Sequence, residues 1–496
     1  MCAGELECGL ADAGSAAVRA AAELTDACAS RLLGSDAPDP AAARARLRRQ
    51  PLPEHIQVSR PEGYAYYGLD PRGYAGCLDG ALRDAAAVSV IGVRSIGTSL
   101  SAVVCAALRG RRTQVERMTV RPSGHPWARQ LRLSDDERAF VRRGAARGAR
   151  FAIVDEGPGM SGSTFLAVGQ ALEEAGVACA DITLVCGHCP DLAALRGEDA
   201  ARRFRRYQLL WPSAASADRG RDLSAGRWRE LAFGADRGAW PACWAQLERT
   251  KRLTEGSALD KFEGYAPYCR PALARAELLA EAGFAPPASY LGEGRVRYPW
   301  LAGRRPRAAE LDAAWIEHLA RYCTFRTRAC SAPDAEAAAL THMLRVNVRE
   351  ALGIELDERC ALELRAGVVA DARMQPHEWL MTPAGERFKL DGHADGDAHL
   401  FPGPCDVAWD LAGAIVEWHM DEARAAALVR CYERQSGDRV GPRLPNYVLA
   451  YCALRLGVCT FASWSADAEE AARLQRAHAA YRSRLEACLA QRDLSR

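Results

Sequence analysis

The sequence has no export signature: its first residues, MCAGELECGLADAG, contain neither a basic segment nor an apolar core of the kind a signal peptide needs. No apolar run reaches the roughly 20 residues that cross a bilayer. No internal repeat or sustained heptad pattern marks a solenoid or a coiled coil. Net charge is almost missing too, since Lys+Arg 65 against Asp+Glu 63 leaves +2, too little for a general attraction to nucleic acid or anionic membrane. Eighteen cysteines are scattered without any export signal, which argues against a disulfide scaffold and for reduced thiols. The thiols around Cys405 complete no zinc spacing. These absences lead to the expectation of a soluble, cytoplasmic protein without nucleic-acid or membrane partners, with a homodimer among the assemblies it allows.

What is present suits a chain of several domains. At 496 residues the length calls for two or three cores. Residues 1–52 are Ala-rich and helical in pattern, end at Pro51-Leu52-Pro53, and read as a helical extension without chemistry of its own. From about residue 85 the pattern alternates. Val88-Ser89-Val90-Ile91-Gly92-Val93 reads as a buried strand and 101–108 as a helix; residues 151–154 follow as strand, 164–175 as helix and 182–186 as strand. Repeated βα units predict a parallel sheet over 53–220. The stretch 213–226, rich in Ser, Ala, Gly and Asp, marks a boundary. Beyond it, 221–496 turns to helical patterns at 275–282, 307–323 and 466–489.

The segment Ile153-Val154-Asp155-Glu156-Gly157-Pro158-Gly159-Met160-Ser161-Gly162-Ser163-Thr164 joins an apolar strand to a helix start through small residues. Small side chains let backbone N–H groups reach phosphate oxygens, and the helix start adds its positive dipole end. Two carboxylates at a strand's carboxyl end can accept hydrogen bonds from vicinal sugar hydroxyls. A plain capped helix would also place Ser or Thr here. The segment resembles the phosphoribosyl pyrophosphate (PRPP) motif of type I phosphoribosyltransferases, with four residues between the acids and the tetrad, one more than the usual pattern. The resemblance implies that Asp155 and Glu156 hold the ribose hydroxyls, and that Gly159, Met160, Ser161, Gly162, Ser163 and Thr164 hold the 5′-phosphate. It also implies a pyrophosphate loop at Arg94, Ser95, Gly97 and Thr98, and a catalytic loop carrying Arg121 and Arg129. Mg²⁺ would bridge pyrophosphate and ribose oxygens.

Farther along, separated fragments are similar to an aminoglycoside phosphotransferase-like kinase, which implies an α+β fold rich in helices. Lys261 lies where a strand lysine reaches nucleotide phosphates, and Glu277 on the next helix stands as its partner. Residues 297–303 match the segment joining the lobes, Asp371 the catalytic-loop aspartate and Asp391 the metal-binding one, with Asp406-Val407-Ala408-Trp409-Asp410 as the structural motif that follows. Val369-Ala370 replaces the usual His-Gly and the downstream Asn is missing, which leaves Gln375 or His377 to contact metal or nucleotide. ATP and Mg²⁺ are the implied ligands. The run of acids and imidazoles from Asp391 to His399 also reads as a divalent-metal cluster or as a polar loop; a loop beside a Mg²⁺ site is preferred.

Together these readings describe an α/β phosphoribosyltransferase-like domain fused to a kinase-like domain, both acting on small molecules. A non-catalytic sensor of PRPP or nucleotide uses the same folds. A third reading, a dithiol redox protein, rests on Cys186 and Cys189 alone.

Overall fold

An almost unbroken apolar stretch makes strand β1 (Ala87–Val93), buried along its whole length. Burial on both faces is the mark of an interior strand in a parallel sheet. Strands β2 (Gln114–Val120), β3 (Arg150–Val154), β4 (Ile182–Val185) and β5 (Gln208–Leu210) join it in the order β2-β1-β3-β4-β5, every pairing parallel. The strand order reverses between β1 and β3, and the crevice above the carboxyl ends of two such strands is where open α/β sheets hold ligands. The computed structural model describes every residue except 37, 110–112, 214–219, 255–257, 366, 397, 399, 495 and 496. Residues 214–219 of the expected boundary segment, and Asp397 and His399 of the acid–imidazole run, lie outside the described residues. The chain divides into two units, Met1–Asp218 and Arg219–Arg496.

In the first unit α1 (Cys2–Asp12), α2 (Val18–Leu32) and α3 (Pro40–Leu47) precede the sheet, and α4 (Ile96–Arg109), α5 (Asp135–Ala146) and α6 (Ser163–Glu174) form crossovers between its strands. Helix α4 is buried nearly all round, because β1 and β2 cover one side and α1 and α2 another. Residues 1–52 are thus part of this unit's packing. Buried Arg117 of β2 pairs with Glu7 of α1 and Asp26 of α2, each at 2.8 Å. Helix α4 begins five residues before its expected start, which draws Gly97 and Thr98 out of the turn and into the helix.

The second unit opens with an antiparallel sheet of β6 (Arg221–Asp222), β7 (Lys251–Thr254), β8 (Ala258–Phe262), β9 (Ser289–Gly292) and β10 (Arg295–Pro299) in the order β6-β7-β8-β10-β9, with α7 (Cys269–Glu281) between β8 and β9. Next come α8 (Ala313–Ala329) and α9 (Ala338–Leu352), then β11 (Gly367–Val368), β12 (Trp379–Met381), β13 (Arg387–Lys389) and β14 (Cys405–Asp406), in which β11 pairs with β14 and β12 with β13. Helices α10 (Ala408–Glu417), α11 (Glu422–Ser436), α12 (Leu444–Ser463) and α13 (Ala468–Leu494) complete it. The architecture is therefore mixed α/β, with one parallel sheet and many helices. Against expectation, α12 is long and apolar enough to cross a membrane by length and composition; its stretch is 56% buried in this unit, where Tyr447, Leu449 and Tyr451 pack into a core with Trp409 and Trp418.

Candidate functional site

In the first unit, the turns that follow β1 and β3 meet at the point where strand order reverses. A Cβ on Gly97 would fall 2.5 Å from the Val154 carbonyl oxygen, so glycine alone lets α4 approach the end of β3 this closely. Ser95, in the turn before α4, has φ 120°, a costly conformation that tends to cluster at functional turns. After β3, the Asp155 carboxylate accepts the Glu156 N–H at 2.9 Å and the Glu156 carboxylate accepts the Gly63 N–H at 3.0 Å. Burial, reinforced by the charges of Glu156 and Glu62, pushes Asp155 up to about 8. Burial and Glu62 push Glu156 up to about 7. This cluster of acids favours a cation or hydroxyl donors beside it.

Ser161 and Ser163 lie 2.9 Å apart and both donate to the Pro126 carbonyl, at 2.9 and 2.7 Å. Gly162 between them takes φ +71° and gives α6 no side-chain cap, and the Ser163 N–H donates to Ser161 Oγ at 3.2 Å. The two serines line a cavity of about 430 Å³ with Arg129 and Arg203. Asp155 and Glu156 are not in its lining, so the structure separates the two halves of the expected motif: the loop after β2 folds onto the serines. Gly159 and Met160 are exposed and Thr164 is partly buried. Arg94 and Arg121 are both held by Asp12 of α1, Arg121 at 2.5 and 2.9 Å and Arg94 at 3.3 Å. Arg129 donates to the Gly124 carbonyl at 3.0 Å. Thr98 departs from expectation: it is fully buried, because α4 begins early and turns it inward. Cys186 is buried and Cys189 exposed, both as free thiols. Burial pushes Cys186 up to about 12, the opposite of what an attacking thiol requires.

In the second unit Lys261 occupies the third strand along the chain. Its Nζ lies 3.0 Å from Glu263 and 2.5 Å from Asp391. Glu277, the expected partner, is exposed on α7; Glu263 replaces it because residues two apart on an extended chain point to the same side. Burial would raise Glu263, but Lys261, His393 and Arg249 hold it well below the usual carboxylate range. Asp391 is likewise held far down against burial by Lys261 and Lys251. His393 Nε2 lies 2.9 Å from Glu263 and 3.0 Å from the Tyr298 hydroxyl. Glu263, Asp391 and His393 converge closely enough to hold a metal ion, yet the Lys261 ammonium already offsets both carboxylates. His377, the other expected ligand, stands outside this trio. Its ring stacks on Trp228 at 6.0 Å, and burial lowers it to about 4.

Asp371 also departs from expectation. It is fully buried, bonded to the Tyr322 hydroxyl and 3.2 Å from Lys389 Nζ, where it offsets buried cations. Asp410 of α10 accepts the backbone N–H groups of Asp371 and Ala372 at 2.8 and 3.0 Å and so anchors this loop. Ala372 and Asp391 take φ +65° and +56°, strained positions flanking the site. A cavity of about 240 Å³ opens here; this loop contributes Arg373, His377 and Glu378 to its walls, but not Asp371 or Gln375. Gln375 instead donates to Glu417 at 3.3 Å. Three of the chain's 65 basic residues are lysines, Lys251, Lys261 and Lys389, and all three line this cavity. That scarcity was a readable signal for Lys251 and Lys389, which motif reasoning passed over.

No protein-family model matches the chain, and no curated protein matches it. Among solved structures it is similar to choline kinase LicA from Streptococcus pneumoniae (14% identity, 47% of this chain and 89% of that one, TM-score 0.34). It is also similar to a choline/ethanolamine kinase family protein from Mesorhizobium loti (17% identity, 48% and 89%, TM-score 0.31). A third is macrolide 2'-phosphotransferase MphH from Brachybacterium faecium (14% identity, 47% and 88%, TM-score 0.32).

Proposed function

We propose that the second unit is a kinase-like module that binds a Mg²⁺-nucleoside triphosphate in the 240 Å³ cavity and transfers a phosphoryl group to a small molecule. The observation that carries this reading is the gathering of the chain's three lysines around Asp391 in one cavity. A compact ammonium is a point charge suited to phosphate, whereas arginine serves planar pairing elsewhere in the chain. Lys261 meets the phosphates, and apolar Leu301 and Leu380 offer surface to the base. Carboxylate oxygens suit Mg²⁺, so Asp391 holds the ion, which offsets charge on the transferring phosphoryl group. Titration calorimetry of the whole chain with Mg²⁺-ADP tests this. Saturable binding, weakened at least tenfold by Asp391→Asn and by Lys261→Arg, is the expected result; absence of binding to the unaltered protein refutes it.

For the first unit, the position of Asp155 and Glu156 at the sheet's switch point favours a second reading, a PRPP-dependent phosphoribosyltransferase. Here the twin acids take the ribose hydroxyls and Mg²⁺, Ser161 and Ser163 take the 5′-phosphate once Pro126 withdraws, and Arg94, Arg121 and Arg129 face the departing pyrophosphate. Phosphorus NMR with PRPP, Mg²⁺ and a panel of bases separates the outcomes. Pyrophosphate release that Asp155→Asn and Glu156→Gln abolish supports the transferase. Saturable binding without release supports a sensor.

A further inference from the structure

We propose that Arg305 and Arg373 form an oxyanion subsite in the second unit's cavity, and that the phosphoryl acceptor bound there is itself an anion, a carboxylate or phosphate, and not a neutral alcohol. This rests on the nucleotide-site reading above.

The cavity holds an arginine without an acceptor. Backbone bonds between Arg304 and Met381, at 3.0 and 2.9 Å, tie the segment after β10 to β12 and bring Arg305 to the cavity wall. Its guanidinium lies 5.9 Å from the Trp228 ring centroid, and its Nη1, shielded from solvent, has no hydrogen-bond partner among the described residues. Three arginines nearby are matched, Arg297 with Asp260 at 2.7 Å, Arg304 with Glu310 at 2.7 Å, and Arg373 with Asp395 at 2.9 Å; Arg387 Nε is likewise without a partner among the described residues, but Arg387 does not line this cavity. A buried donor left unmade is costly, and more so when charged, so this N–H is held ready for an oxygen from outside. The wall's charge points the same way. Lys251, Lys261, Lys389, Arg305 and Arg373 line it against Glu248, Glu378 and Asp391. Those carboxylates are engaged in turn: Glu248 by the Gly226 N–H and Trp228 Nε1, each at 2.8 Å, Asp391 by Lys261 at 2.5 Å, and Glu378 by Arg373 at 3.6 Å.

The chemistry agrees with the charge. An alcohol must lose its proton to a base as it attacks, and the aspartate expected for that task, Asp371, is buried while the loop turns Arg373 to the cavity. An oxyanion needs no base. Its oxygen bonds to the γ-phosphorus, the bond from that phosphorus to the β,γ-bridging oxygen breaks, and the electron pair leaves with the nucleoside diphosphate. No proton moves, and the product is an acyl phosphate or a phosphoanhydride. Arg305 and Arg373 hold the acceptor's remaining oxygens.

Calorimetry of the full chain, first loaded with Mg²⁺-ADP and then titrated with orthophosphate or glycerol, tests the subsite. Orthophosphate should bind saturably and glycerol should not. Arg305→Gln should weaken orthophosphate at least tenfold, leave Mg²⁺-ADP within twofold and keep the thermal midpoint, while Arg305→Lys retains part of the affinity and guards against a folding defect. If Arg305→Gln weakens Mg²⁺-ADP instead, the guanidinium serves the nucleotide's own phosphates and the proposal is overturned. Glycerol binding as tightly as orthophosphate, or no orthophosphate binding to the ADP-loaded protein, also overturns it. Failure of Mg²⁺-ADP to bind at all would remove the underlying nucleotide reading, a distinguishable result.

Discussion

Asp155 and Glu156 in the first unit, and Glu263 and Asp391 in the second, are pairs of carboxylates drawn away from solvent, but they respond in opposite directions. Burial wins in the first pair, which is raised to about 8 and about 7 with Glu62 adding negative charge. In the second pair the Lys261 ammonium, at 3.0 and 2.5 Å, reverses the effect of burial and holds both acids down. The positive charges around the second pair make the difference, Lys261 foremost, with His393 and Arg249 at Glu263 and Lys251 at Asp391. The first pair is left to favour a cation or hydroxyl donors beside it, whereas the second is already neutralised by the cations around it.

The largest effect should come from removing the Lys261 charge. Lys261→Met takes the 2.5 Å partner from Asp391 while Glu263 keeps Arg249 at 2.8 Å, and should destabilise the second unit by about 3 kcal/mol, read from its urea transition; a loss below about 1 kcal/mol would mean Asp391 finds another partner. Next is Gly97→Ala, whose new Cβ would sit 2.5 Å from the Val154 carbonyl oxygen. It should cost about 1–3 kcal/mol and weaken any ligand held at the switch point, and an unchanged melting temperature would show that α4 can shift freely.

A smaller effect should follow pH. Asp155 and Glu156 keep protons in the folded chain that the unfolded chain loses near pH 4, so this pair's contribution to the first unit is fully present in acid and is lost progressively as pH rises from about 4 to the folded values of about 7 and about 8. Glu263 and Asp391 do the reverse, contributing stability above the ordinary carboxylate range that is lost only as pH falls through their lowered values. Denaturation of each unit across pH 3–9 should therefore give opposite slopes, and parallel slopes would erase the contrast. Smallest is Asp12→Asn, which loosens the hold on Arg94 and Arg121. Because these side chains are partly exposed, stability should change by less than about 1 kcal/mol, while orthophosphate affinity of the first unit should rise; unchanged affinity would show that Asp12 does not compete for these arginines.

Much of the first unit could be read locally. The continuous apolar run of β1, the strand before Asp155 and the small-residue loop before α6 all lie within a few residues of their own signals. The reading missed the start of α4, because Gly97 and Ser99 look like turn residues, yet packing against the sheet and against α1 and α2 overrides that preference. In the second unit, Lys261 and Asp391 were legible as chemistry-bearing residues, but not their partners. Glu277 and Glu263 are equally plausible mates for Lys261 by spacing, and Asp371 looks like a base until Tyr322, Lys389 and the Asp410 anchor enclose it. Arg305 is one basic side chain among 65, and nothing local distinguishes it.

By itself, then, the order of residues determined where strands alternate with helices, where small residues leave backbone N–H groups bare, and that lysine is kept at three positions only, since these depend on side-chain size and near neighbours. The fold decided which acids are held charged, which aspartate faces a cavity, and that Arg305 meets the second unit's cavity with its Nη1 unpartnered among the described residues. Those properties arise from groups far apart in the chain, such as Lys261 and Asp391 at a separation of 130 residues. Charge and solvation at such a meeting are set by everything that surrounds it, so they come into being only when the chain has closed.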